Sequence, residues 1–128
     1  MSLREDAKKI YSSSIAKLDP SRTVYDYLSS NSIVKSHFDK IYPVAFGKAS
    51  ISMMTGLLGY LKDQFPKIPI HKKPIIISNN YQETIEHSVD LHISSHPIPT
   101  EKSVAAGDKV INYISSSSDK DLVIFLIS

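Results

Sequence analysis

The stretch Asp121-Leu122-Val123-Ile124-Phe125-Leu126-Ile127-Ser128 closes the sequence and decides how the rest is read. An unbroken apolar run between Asp121 and Ser128 suits a parallel strand covered on both faces, and it is expected to be the most buried strand of the chain. Such a strand needs crossover connections, and an α/β protein places its functional loops at the carboxyl end. The sequence stops just there, as a piece cut from a larger protein would.

Working outward, the serine tract at residues 115–118 reads as a loop leading into this strand. A helix is expected over residues 101–115, with Thr100 as N-cap, Glu101 beside the positive end, and Val104, Ile111 and Ile114 on one face. Residues 89–94 suit a short strand, and Ile75-Ile76-Ile77 after Pro74 suits another. Residues 49–65 carry Ile51, Met54, Leu58, Leu61 and Phe65 at spacings of three and four, the clearest amphipathic stripe in the sequence. Met53-Met54 is core packing on that helix. The first strand falls at residues 41–46; because a proline is tolerated only at a strand's start, edge or bulge, Pro43 moves the expected regular pairing to Val44. Toward the amino end, Ala7, Ile10, Tyr11, Ile15 and Leu18 lie near helical spacing. Asp19-Pro20 then offers an N-cap and a first-turn proline to a shorter helix with Val24, Tyr27 and Leu28 inward. Strands alternating with helices give an α/β, Rossmann-like fold: a mainly parallel sheet with flanking helices, without internal repeat or domain boundary.

Composition sets outer limits. A chain of 128 residues can bury one α/β core. Fifteen basic against 13 acidic residues leave a net charge of +2, which calls for neither nucleic acid nor a membrane surface. The absence of cysteine excludes disulfides, thiolate nucleophiles and Cys-based zinc sites. No stretch approaches a membrane span, and Glu5 and Asp6 do not fit a secretory signal, so a cytoplasmic protein is expected.

Three loops follow strands directly and, in a parallel sheet, share one end of it. They are Gly47-Lys48-Ala49-Ser50 at a helix start, Ser95-His96-Pro97-Ile98-Pro99, and Ser128. Glycine at a strand-to-helix turn lets the backbone approach an anion, free N–H groups and the helix dipole attract it, and Lys48 adds a mobile positive charge. That outlines a phosphate or carboxylate site, although a Gly-Lys pair at a helix start is more often a solvated lysine. It is not a Walker A loop, since Tyr42 replaces the first glycine and Ala49 the hydroxyl residue. No G-x-G-x-x-G is present, and Ser78-Asn79-Asn80 stands where a ribose-binding acid belongs. His96-Pro97 has a bland reading as a stiffened loop with a structural histidine. His92 and His96 have a zinc-like separation, but on a strand and its exit loop they do not converge. With His37, His71 and His87 adding nothing, no metal site is read.

The order of Asp19-Pro20, Phe46-Gly47-Lys48-Ala49-Ser50, Met53-Met54, Ser95-His96-Pro97-Ile98-Pro99-Thr100-Glu101, Ala105-Ala106-Gly107 and the closing strand resembles the amino-terminal part of the glycerate 2-kinase family. Members are also labelled hydroxypyruvate reductases. The resemblance runs from about Ala7 to Ser128 and makes residues 1–128 the amino-terminal part of the glycerate kinase α/β domain, ending before a glycine-rich Ser-Gly-Gly loop of which Ser128 is the first residue.

This resemblance implies transfer of the ATP γ-phosphate to the 2-hydroxyl of glycerate, with Mg2+, in a cleft between two domains. It places Lys48 as the catalytic group and Gly47, Ser50, His96, Pro97 and Ser128 about the substrate. Thr100 stands where the family commonly has an acid, with Glu101 beside it. A hydroxypyruvate reductase is the alternative, against which the missing dinucleotide fingerprint weighs; a non-catalytic sugar-acid or nucleotide-binding domain is the third reading. The expected partner is glycerate, with no nucleic acid or membrane. Taken alone, the chain is expected to be inactive and, through apolar surface left on its last strand, prone to form homo-oligomers.

Overall fold

A computed structural model describes residues 2–79 and 88–128. Its elements are α1 (Leu3–Lys17), α2 (Pro20–Ser30), β1 (Ile41–Phe46), α3 (Ser50–Gln64), β2 (Ile75–Ser78), β3 (Asp90–Ile93), α4 (Glu101–Ile114) and β4 (Leu122–Ile127). The strands form one sheet in the order β3-β2-β1-β4, and every pairing is parallel. This is the expected α/β arrangement. Strand order runs outward from β1 to β3 and then reverses to β4, so the topological switch point lies between β1 and β4.

Helix starts follow the sequence signals. Ser2 and Glu5 form a capping box on α1, Asp19 accepts from the Ser21 N–H ahead of α2, and Thr100 with Ser103 forms a second box on α4. α3 covers one face of the sheet over Ile41, Ala45, Ile76 and Leu126, and α2 packs on α3. Their backbones meet closely at Gly56, where a Cβ would stand 2.1 Å from the Ser21 carbonyl oxygen. Glycine inside a helix costs about 1 kcal/mol relative to alanine; here it is what lets α2 lie down on α3.

The opposite face packs against α4. Tyr42 is fully buried there, its ring stacked on His71 at 4.3 Å and edge-on to Tyr113 at 5.5 Å. The Tyr113 hydroxyl donates to the His71 carbonyl at 2.7 Å. Burial raises the Tyr113 pKa. Desolvation lowers that of His71, helped by Lys72 and Lys40.

Several expectations need correction. β1, not β4, is the most buried strand, because it has a neighbour on each side and a helix layer on each face. β4 occupies an edge, where Phe125 is 45% and Ile127 65% exposed. Pro43 does not delay β1, which pairs with β4 from Ile41 onward. Odd-numbered residues of β1 direct their backbone polar groups toward β2, as Ile41 does to Pro69 and His71. The ladder to β2 opens at Val44, so the missing donor of Pro43 falls where no β2 residue is paired.

On α4 the inward residues are Ala106, Val110, Tyr113 and Ile114, while Val104 and Ile111 are exposed. On α2, Tyr27 is exposed and Tyr25 packs instead, meeting Tyr60 edge-on at 5.9 Å and donating to Asp63 at 2.8 Å. That carboxylate raises the Tyr25 pKa. α1 forms as expected but buries none of its stripe.

Candidate functional site

Gly47 leaves β1 with φ of 112°, a region that disfavours any residue carrying a side chain. Its N–H donates to the Ile77 carbonyl at 3.3 Å, and its own carbonyl accepts from Ser50 at 3.3 Å, closing the turn into α3. Beyond the end of β4, Ser128 continues the ladder by donating its N–H to the Phe46 carbonyl at 3.1 Å. The Ser128 hydroxyl then accepts from the Ala49 N–H at 2.9 Å. The strand-exit turns on either side of the switch point are thereby bonded to each other.

The third loop is held by hydroxyls. Ser95 Oγ lies 2.7 Å from Thr100 Oγ1 and 2.9 Å from Ser103 Oγ, and Ser94 donates to Ser103 at 3.1 Å. These bonds tie the two ends of the 96–99 segment together at the start of α4. The His96-Pro97 peptide bond is cis.

All three loops open on one cavity of about 470 Å³ at the carboxyl end of the sheet, lined by Gly47, Lys48, Ser78, Asn79, Ser95, His96 and Ser128 over a floor of Phe46 and Ile77. Lys48 is exposed, as expected of a lysine at such a turn, and so is His96. Among the described residues the lining holds these two basic side chains and no Asp or Glu. Of the anticipated site residues, Gly47, Lys48, His96 and Ser128 come together here. Pro97 lies exposed beside the cavity without lining it, and Ser50 is fully buried in the first turn of α3 with no hydrogen-bond partner for its Oγ among the described residues. Ser95 was anticipated only as the first residue of its loop, and Ser94 and Ser103 were not anticipated; the Thr100-x-x-Ser103 capping pattern was the available signal for Ser103.

His92 does not join His96. It is half-buried on β3, with Nε2 3.1 Å from Asp90 Oδ1 outside hydrogen-bond geometry. Among the described residues no group of three or more His, Asp or Glu could hold a metal ion, and no helix is long and apolar enough to cross a membrane. A second cavity of about 420 Å³ lies at the opposite end of the sheet between the close of α3 and the 66–74 loop, and it contains none of the anticipated residues.

Comparison with known proteins gives the family of the chain. Residues 6–128 match the family described as Domain of unknown function (DUF4147). The chain belongs to that family. The DUF4147 domain is found in glycerate 2-kinase family proteins, and the chain has weak homology to such kinases over nearly its whole length. The D-glycerate 2-kinase of Thermotoga maritima is 25% identical over 127 residues, covering 99% of this chain and 28% of that protein. The glycerate 2-kinase of Picrophilus torridus is 24% identical over 126 residues, 98% of this chain and 29% of its own length. An uncharacterized protein of Caenorhabditis elegans is 36% identical over 110 residues, 81% of this chain and 22% of that protein. This DUF4147 chain thus spans less than a third of the length of the curated relatives it matches. No solved structure matches it.

Proposed function

We propose that this DUF4147 chain forms one wall of a glycerate 2-kinase active site, in which the γ-phosphoryl group supplied by ATP passes to the 2-hydroxyl of glycerate. The observation that carries this is the convergence of Gly47-Lys48, His96 and Ser128 on one cavity at the carboxyl end of the sheet, with two basic side chains and no acid among the described residues that line it. Phosphoryl transfer is mostly positioning and charge neutralisation, so a wall of this kind stabilises anionic oxygens without bonding to them. Lys48 meets the phosphate oxygens as charge moves onto the leaving group, or pairs with the unchanging carboxylate of glycerate. His96, presented from a loop closed by Ser95, Thr100 and Ser103, orients the substrate.

The described residues of this site do not fit a magnesium ion. Among the described residues the cavity lining offers no Asp or Glu, and there is no metal-ligating cluster. No step on this wall is therefore assigned to the metal. The support from relatives is that two of them, each more than three times longer than this chain, are named as glycerate 2-kinases.

The test is glycerate-dependent ATP consumption, measured on this chain and on a protein of the relatives' length that contains it. The longer protein should turn over and this chain alone should not. Lys48→Ala in the longer protein should lower kcat by roughly a hundredfold or more with an unchanged melting temperature. Wild-type turnover in that variant would return Lys48 to the solvated majority. Hydroxypyruvate-dependent NADH oxidation in place of ATP consumption would favour the reductase.

A further inference from the structure

We infer that Ser128 is a positioning residue of this site: its hydroxyl fixes the amino end of α3, and with it the placement of Lys48, and is committed to that role instead of to a ligand. The inference rests on the anion-binding reading above and deepens it.

α1, α2 and α4 are each capped by a side chain of their own N-cap residue, Ser2, Asp19 and Thr100. α3 alone is not, because its N-cap is Ala49. Leading N–H groups of a helix need an acceptor, and a helix start that frames an anion site needs a defined direction. Ser128 supplies the acceptor from 79 positions away, at 2.9 Å from the Ala49 nitrogen. Its backbone is already anchored to β1 through the Phe46 carbonyl at 3.1 Å, so the hydroxyl arrives from a fixed point.

Gly47 gives an independent sign of the same fit. A Cβ there would stand 2.2 Å from the Ser128 carbonyl oxygen and 2.4 Å from its Oγ. A side chain at Gly47, already disfavoured by its φ of 112°, would also collide with Ser128. Lys48 sits between these two residues, with Gly47 shaped around Ser128 on one side and Ala49 bonded to it on the other. The Lys48 backbone cannot shift without disturbing one of those contacts.

The experiment compares wild type with Ser128→Ala and with the isosteric pair Ser128→Thr and Ser128→Val. Three quantities are read by NMR: hydrogen exchange at the Ala49 amide, the Lys48 amide shift, and the affinity for inorganic phosphate. Loss of the hydroxyl in the Ala and Val variants should speed Ala49 exchange at least tenfold, move the Lys48 resonance and weaken phosphate at least fivefold. Exchange at the β1 and β4 ladder amides should stay unchanged, and Ser128→Thr should restore all three readouts. Unaltered Ala49 exchange without the hydroxyl, or failure of threonine to restore it, overturns the inference. So does a lost cap that leaves the Lys48 resonance and the phosphate affinity untouched. If wild type binds no phosphate, the anion reading falls by itself, while Ala49 exchange and the Lys48 shift still decide the role of Ser128. If one hydroxyl-free variant does not fold, the other stands against threonine in the same way.

Discussion

β1 and β4 lie side by side in matched register, yet they live in different surroundings. β1 contains a proline and a tyrosine and is closed on all sides; β4 is apolar from end to end and stands half open. Hydrophobicity therefore does not rank strands by burial. Position in the strand order does: the first strand of a doubly wound sheet acquires neighbours on both sides, and a strand beyond the switch point faces outward until another element covers it.

The largest effect should come from breaking the buried member. Tyr42→Ala removes the ring held between His71 and Tyr113 and should cost about 3–5 kcal/mol, read from the urea midpoint. Phe125→Ala, its counterpart on the exposed side of β4, should cost no more than about 1 kcal/mol. Equal losses would erase the contrast. A smaller effect on stability, but a clear one on association, is expected of Ile127→Lys. Stability should stay within about 0.5 kcal/mol of wild type. Light scattering should fall toward the monomer value, because a charge on an open strand edge opposes pairing with a second copy.

The smallest effect concerns pH. The folded state holds the His71 pKa below its ordinary value, so it binds fewer protons there than the unfolded chain does. The stability due to neutral His71 is complete above about pH 6.5 and is lost as pH falls through the lowered folded value. His71→Phe, which keeps a ring against Tyr42, should flatten the melting temperature between about pH 7 and pH 5. Asp121 does not intrude on that window, because N–H donation from Ser118 holds its carboxyl low and its contribution lies below about pH 4.

What could be read in the sequence was what short-range chemistry writes there. Asp19-Pro20 and Thr100-Glu101 marked helix starts to the residue, and the period of three and four placed α3 within one residue at each end. The sharing of one cavity by Gly47-Lys48, His96 and Ser128 followed from a single rule about parallel strands. Burial was less legible. Val104, Ile111 and the stripe of α1 have helical spacing, but spacing states which residues share a face and not whether anything lies against it. The Ser128 cap on Ala49 and the Ser21 approach to Gly56 were hidden because each joins backbone to a distant partner, leaving only a glycine or an alanine as its trace.

Pro43 has a consequence for how the sheet is assembled. Its nitrogen is the one position on the β2 side of β1 that cannot donate, and pairing opens at Val44↔Ile75 just past it. Sliding β2 back by two residues would keep every side chain on its own face, so hydrophobic patterning cannot forbid that error. The imide does, because the slipped strand would bring a carbonyl to a site with no hydrogen to give. The proline serves as a ratchet stop against backward slippage of the isoleucine-rich β2 along β1.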